Sequence, residues 1–451
     1  MSAFLTRREI LASGGSALAL AAAGPALAQS GGAFNWKKQA GTTLRVVTLK
    51  FPLSEIQQKR LDDFQQLTGI KVEWEALPED LWRQKVKVEH LAGATDLDVF
   101  LSYYAQEGQQ FLASGWYADT APMMRDASLT NPDFAWNDFI PTVRDGATVE
   151  GKIPIIPDRA QALPILYYRR DLFEQFKLSR PQTWDDVRNA AKVIHEGTNK
   201  QVFGIVLRGK GAAATSMLAP VLYDFGGRWA DRTTGDVTLN TPEARAGFDW
   251  WGSILRQYGP PGSVNNHWAE VTGIFSQGRA AMVYDDITFA TIFSDPAKST
   301  VAGKVGYAPA PTGPHSAGWR KEPPIAPNAT GLAISSLGKK KEAAWLLVQY
   351  MSDRTTSQRY MLQGGLGARQ SAWSDPEVTK SLDPEFLETG RISTQINSPG
   401  AAPHSIVNVP KARDLIGEAV VASILGNDVG AALATAQARC MELLTEERTK
   451  R

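Results

Sequence analysis

A single cysteine, Cys440, stands in 451 residues. No disulfide can therefore form within the chain, and no thiolate cluster can hold zinc or an iron–sulfur centre. Histidine is scarce too. His90, His195, His267, His315 and His404 lie far apart, and no two make a metal-binding pair at helical spacing. The motifs C-x-x-C-H, G-x-x-x-x-G-K-[ST] and G-x-S-x-G are absent, which leaves haem attachment, a phosphate-binding loop and a hydrolase nucleophile elbow without support. No cofactor and no metal are expected. Long runs of one charge are missing and the net charge is +1, which argues against nucleic acid and against an anionic membrane surface as partners. There are no internal repeats and no low-complexity tracts.

What is present begins at the N-terminus. Arg7-Arg8 stand just ahead of an apolar, alanine-rich run from Leu11 to Leu27, which ends in Ala26-Leu27-Ala28. Residues 1–28 read as a signal peptide of the twin-arginine type. The run holds Gly14, Gly15, Gly24 and Pro25 and falls short of the roughly 20 residues that span a bilayer. No cysteine follows it, so a lipid anchor is not expected. The mature chain should start near Gln29 and work in the periplasm as a soluble monomer. Roughly 420 residues are too many for one hydrophobic core, which predicts two domains or lobes.

The periodicity is that of an α/β protein. LRVVTL at 44–49 predicts a buried strand, and 53–67 a helix ended by Gly69. Alternation over 70–76 predicts a strand, 79–91 a helix and 97–101 a strand. This order implies a mainly parallel sheet. Further strands are predicted at 153–157, 163–168, 203–207, 280–284 and 332–335. Helices are predicted from the Thr183 N-cap onward, at 243–258 and at 341–351. The Pro/Gly-rich stretch 307–331 reads as a crossing segment, and the C-terminal third as mostly helical.

Several segments then line up with one family. Phe64-Gln65-Gln66-Leu67-Thr68-Gly69-Ile70-Lys71-Val72 resembles the F-x-x-x-T-G-I-K-V opening of carbohydrate-type extracellular solute-binding proteins (family 1) of ATP-binding-cassette importers. Asp98-Val99-Phe100 falls at that family's second conserved strand. LPILYYRRDLF at 163–173, followed by Pro181-Gln182-Thr183-Trp184-Asp185-Asp186, is similar to its L-x-x-Y-N-x-D-L-F … P-x-T-W-D-E signature, with Tyr168 in place of the usual Asn. Phe275 to Met282 resembles F-x-x-G-x-A-A-M, and Glu342-Ala343-Ala344-Trp345 matches E-A-A-W. The resemblance implies a two-lobe type II periplasmic binding fold with a ligand cleft between the lobes. It also implies hinge closure and delivery to membrane permease subunits. On this basis lobe 1 is expected over 42–157 and 306–355, and lobe 2 over 158–305 and 356–451.

A sugar or polyol is held by forked polar groups on its hydroxyls and by aromatic rings on its C–H faces. The candidates lie in loops at strand ends. Lys50 and Phe51 follow the first strand, and Tyr103, Tyr104 and Gln106 follow the third. Asp158, Arg159 and Gln161 lie in the first crossing segment, where the family alignment places a polar ligand contact at Gln161. Arg208 and Lys210 follow FGIVL, and Trp229 follows a Gly-Gly pair. Trp268 and Glu270 precede the F-x-x-G turn, and Asp285 and Asp286 follow AAMVY. Asn328, Thr330 and Gly331 lie in the second crossing segment, Arg369 follows a Gly-rich turn, and Arg413 sits on a helix. Trp184, Trp250, Trp251 and Trp345 are expected in the core. The leading expectation is a non-catalytic receptor for a sugar, oligosaccharide or polyol. The many arginines keep open an anionic ligand such as a sugar acid, sugar sulfonate or phosphodiester. A third reading is a secreted glycosidase using Asp158 with Asp285 or Asp286 as an acid/base pair.

Overall fold

The computed structural model describes residues 33–322 and 328–450. The signal peptide and its paired arginines lie outside the described residues.

The first sheet holds five strands in the order β2-β1-β3-β8-β4. They are β1 (Thr43–Leu49), β2 (Lys71–Leu77), β3 (Val99–Tyr103), β4 (Ile156–Pro157) and, much later in the chain, β8 (Thr330–Ile334). β1 runs parallel to both β2 and β3, with helices between them as crossovers. β8 pairs antiparallel with β3 and with β4. The second sheet places β5 (Ile165–Arg169) between β6 (Met282–Asp285) and β7 (Val305–Ala308). Both of its pairings are antiparallel.

The expectation of a mainly parallel sheet therefore holds only for β1, β2 and β3. β8 arrives from the far side of the molecule rather than over a βαβ crossover, so it enters against the direction of β3. The stretch 203–207 is not a full strand. It touches the second sheet through single parallel bridges, Phe203 to Ala280 and Val206 to Val283. The helix expected over 53–67 is two helices, Pro52–Gln58 and Leu61–Thr68. The break lets Arg60 turn inward, where it donates to Asp353 (2.7 and 2.8 Å) and to the Tyr350 carbonyl (3.1 Å).

Two lobe boundaries also shift. β7 is hydrogen-bonded to β5, so the chain has not left the second sheet at 306. The helix Arg354–Leu362 packs on Pro52–Gln58, and Tyr360, Met361 and Leu366 join the core that covers the first sheet and one face of the second. The helix just past 355 thus packs on the helix that follows β1. The C-terminal helices Val409–Leu425 and Val429–Thr449 pack together, the former also on Gly211–Asp224 and Pro242–Tyr258, in the second core. Trp184, Trp250, Trp251 and Trp345 are all buried as expected. No described helix is long and apolar enough to cross a membrane.

Strand direction places the site. The C-terminal ends of β1, β3 and β4 and the start of β8 share one edge of the first sheet. The ends of β6 and β7 and the start of β5 share one edge of the second. Residues leaving these edges line one cleft.

Candidate functional site

The cleft, together with the open solvent at its mouth, spans about 1080 Å³. Nine of the residues singled out from the sequence line it: Phe51, Tyr103, Gln106, Arg159, Gln161, Arg208, Trp268, Asp286 and Asn328. Phe51 caps the helix after β1 and Tyr103 ends β3. A single π-helical turn, Tyr104–Gly108, follows and carries Gln106 into the cleft. Such turns cluster at functional sites because they redirect side chains within a few residues.

On the first-sheet side, Arg159 makes a two-pronged pair with Asp158 (Nε to Oδ1 2.9 Å, Nη2 to Oδ2 3.3 Å). Gln57 donates to the same carboxylate at 3.3 Å. The Arg159 guanidinium lies over the Phe51 ring at 5.1 Å and the Tyr103 ring at 5.9 Å. Burial opposes the charge on Arg159, but Asp158 outweighs it and holds the guanidinium above its ordinary range. On the second-sheet side, Arg208 forks onto Asp285 (2.8 and 2.6 Å) and lies 5.9 Å over the Phe289 ring. Burial pushes the Asp285 carboxyl up, and Arg208 counters this only in part. Trp268 stacks on Phe289 at 5.8 Å and completes an aromatic wall. Asp286 accepts from the amide (2.9 Å) and hydroxyl (2.7 Å) of Thr288 through one oxygen. Burial raises the Tyr103 phenol well above its ordinary range, so it enters the cleft as a neutral hydroxyl.

The remaining candidates are corrected by their positions. Asp158 and Asp285 are buried behind their arginines and do not line the cleft. Lys50, Lys210 and Glu270 are exposed. Lys210 lies 3.8 Å from Asp80, while Glu270 accepts from the His267 amide at 2.9 Å as a helix cap. Tyr104 turns away from the main cleft to line a smaller neighbouring cavity. Trp229 is a core residue whose indole donates to the Gly400 carbonyl at 3.1 Å. Thr330 and Gly331 are buried in β8. Gly331 is there because a Cβ would sit 2.0 Å from the Ile156 carbonyl oxygen. Arg369 is 1% exposed and away from the cleft; it donates to the Ser352 (2.7 Å) and Phe134 (2.8 Å) carbonyls. Arg413 stands behind the cleft and donates to Gln106 at 2.8 Å.

Sequence reasoning missed Glu79, Ser216, Thr288, Phe289, Ser398 and Gly400, all lining residues. Glu79 was legible only as the first residue of a helix. Phe289 lies three residues beyond Asp286, close enough to have been found by extending the strand-end rule. Ser398 and Gly400 sit in an irregular stretch where no periodicity marks position.

Two α/β bodies meeting at a polar, aromatic-walled cleft define a small-molecule binding protein. The match to the bacterial extracellular solute-binding protein family covers residues 52–355, and the chain belongs to that family. A mannitol-binding protein of Pseudomonas aeruginosa is 30% identical over 246 residues, 54% of each chain, so this match spans about half of that relative. An erythritol/L-threitol-binding protein of Mycolicibacterium smegmatis is 25% identical over 430 residues, 85% of this chain and 86% of the relative. Among solved structures, an ABC transporter solute-binding protein of Agrobacterium radiobacter in complex with ribitol superposes with a TM-score of 0.79 at 26% identity, covering 90% of this chain and 99% of the other. One from Agrobacterium vitis with bound D-mannitol gives 0.75 at 27% identity, covering 91% and 99%.

Proposed function

We propose that the chain is the periplasmic receptor of an ATP-binding-cassette importer and captures a neutral, short-chain polyol. It takes the ligand between two lobes and presents the closed form to permease subunits. One lobe is built on the five-stranded sheet and the other on the three-stranded sheet, and the chain passes between them at 158–164, between β7 and β8, and again before the C-terminal helices. The observation that carries the neutral-ligand choice is the state of the two cleft arginines. Arg159 and Arg208 each face the cleft with a buried carboxylate already forked onto them. Their charge is matched before any ligand arrives, so they are suited to donate to hydroxyls rather than to neutralise an anion. No hydrogen bond is formed by the side-chain amides of Gln161 and Asn328 among the described residues, which leaves donors and acceptors for hydroxyls. The relatives named for mannitol and for erythritol or L-threitol, and the structures holding ribitol and D-mannitol, support the alditol class.

Catalysis is not part of this reading. A glycosidase needs two carboxyl groups flanking the scissile bond; of the expected trio Asp158, Asp285 and Asp286, only Asp286 lines the cleft, and the other two are sealed behind arginines.

Titration calorimetry of the mature chain against ribitol, D-mannitol, erythritol and the matching aldonic acids tests the proposal. At least one alditol should bind with an affinity unchanged between low and high salt. Binding confined to the acids, weakening as salt screens it, would establish an anionic ligand instead.

A further inference from the structure

Two side chains reach across the cleft to groups on the opposite lobe. Glu79 begins the helix Glu79–Leu91, which packs on β1 and β2. Its Oε1 accepts from Arg83 Nη2 at 3.0 Å. Its Oε2 accepts at 3.1 Å from the indole of Trp268, which begins a helix packed on β6. Arg83 also donates to Glu107, and Glu107 accepts from the Tyr103 amide at 2.6 Å. The aromatic wall on one lobe is thereby tied to the carboxylate that fixes Tyr103 on the other. Arg413 is anchored on the second lobe by Thr215 Oγ1 (3.0 Å) and the Ala212 carbonyl (2.7 Å). From there it donates to Gln106 Oε1 at 2.8 Å, and it is not itself a lining residue.

We propose that Glu79 and Arg413 are positioning residues for closure, two latches that hold Trp268 and Gln106 in place and set the closed-to-open ratio without choosing the ligand. Both oxygens of Glu79 are engaged by protein donors, and Arg413 stands one layer behind the cleft. Both contacts join elements of different sheets, so hinge opening must break them. Each is a hydrogen bond to a partly buried charged group, which contributes more than a fully exposed pair. The exposed Lys210–Asp80 pair at 3.8 Å spans the same gap but is solvated and screened. A contact that favours the closed form alone scales the affinity of every ligand by one common factor, whereas a ligand contact changes the ranking among ligands.

The inference rests on the polyol-receptor reading, and its test separates the two. Affinities and dissociation rates for ribitol, D-mannitol and erythritol are measured on wild type, Glu79→Ala, Glu79→Gln, Arg413→Met and Lys210→Ala. Melting curves report whether each variant folds. Glu79→Gln keeps an acceptor for Trp268 and guards against loss of the Ala variant. Glu79→Ala and Arg413→Met should weaken every alditol that binds by about tenfold, through faster release and with the ranking intact. Lys210→Ala should change affinity by less than about twofold. A reordered ranking or unchanged affinities would overturn the latch. If wild type binds no alditol, the polyol reading fails, and the latch is judged by small-angle scattering of the ligand-free chains. A larger radius of gyration in both variants supports it, and equal radii sink it.

Discussion

At the scale of single residues, sequence reasoning found side chains near strand ends but could not tell which way each points. Arg159 and Arg208 face the cleft, while Arg369, equally basic and equally placed after a turn, is a staple in the first lobe. It lies 4.0 Å over the Phe139 ring and 3.6 Å from Asp138. Burial lowers its pKa below the ordinary guanidinium range, and Asp138 only partly offsets this. Arg369→Met should cost about 3 kcal/mol of stability, since it strands the Ser352 and Phe134 carbonyls in the interior. Chemical denaturation reads the loss. Ligand affinity should stay at the wild-type value in calorimetry, and a matching loss of affinity would restore Arg369 to the site. Trp229 was misplaced for a related reason. A Gly-Gly pair ahead of an indole looks the same whether the loop folds inward or outward. Only the Gly400 carbonyl, far away in sequence, decides it.

At the scale of elements, local signals were reliable wherever the cause was local. Thr183 accepts from the Asp186 amide at 3.1 Å and Asp186 accepts from the Thr183 amide at 2.9 Å, a reciprocal cap readable from four residues. Thr183→Ala should destabilise the helix Trp184–Gly197 by about 1 kcal/mol. A shifted urea midpoint with an unchanged slope would show this, and no shift would mean the cap is replaced by solvent. The direction of β8 was not readable in the same way. It depends on where the chain has been, because β8 returns from the second sheet and pairs with β3 over Val99–Ile334 to Tyr103–Thr330. The break at 59–60 is likewise a long-range effect. Helical periodicity continues through it, and only the Asp353 carboxylate explains why Arg60 leaves the helix surface.

At the scale of the whole molecule, the cleft mouth gathers charges from both lobes, and their coupling predicts how affinity follows pH. Burial raises the Glu79 carboxyl, but Arg83, His267, Arg208 and Arg413 together bring it below its ordinary value. Burial lowers His267; Arg208 and Lys210 add to this, while Glu79 and Asp80 oppose it, and the net shift is downward. His267 Nδ1 accepts from the Trp268 amide at 2.8 Å, which requires a neutral ring with its proton on Nε2, 4.0 Å from Glu79. Opening the lobes separates Glu79 from His267, Arg208 and Arg413 and relaxes its shift; Arg208 and Lys210, which share a lobe with His267, stay beside that ring while Glu79 and Asp80 leave it. A carboxyl depressed in the closed form favours closure fully above its open-state pKa, and loses that contribution as pH falls through the closed-state value. Alditol affinity should therefore be flat above neutrality and fall on acidification in the carboxylate range, as Glu79 takes up its proton. Glu79→Gln removes the titrating carboxyl, keeps an acceptor for the Trp268 indole and should erase this step. Calorimetry across pH on both chains reads this directly, and affinity that rises on acidification would show that the cleft mouth does not control closure.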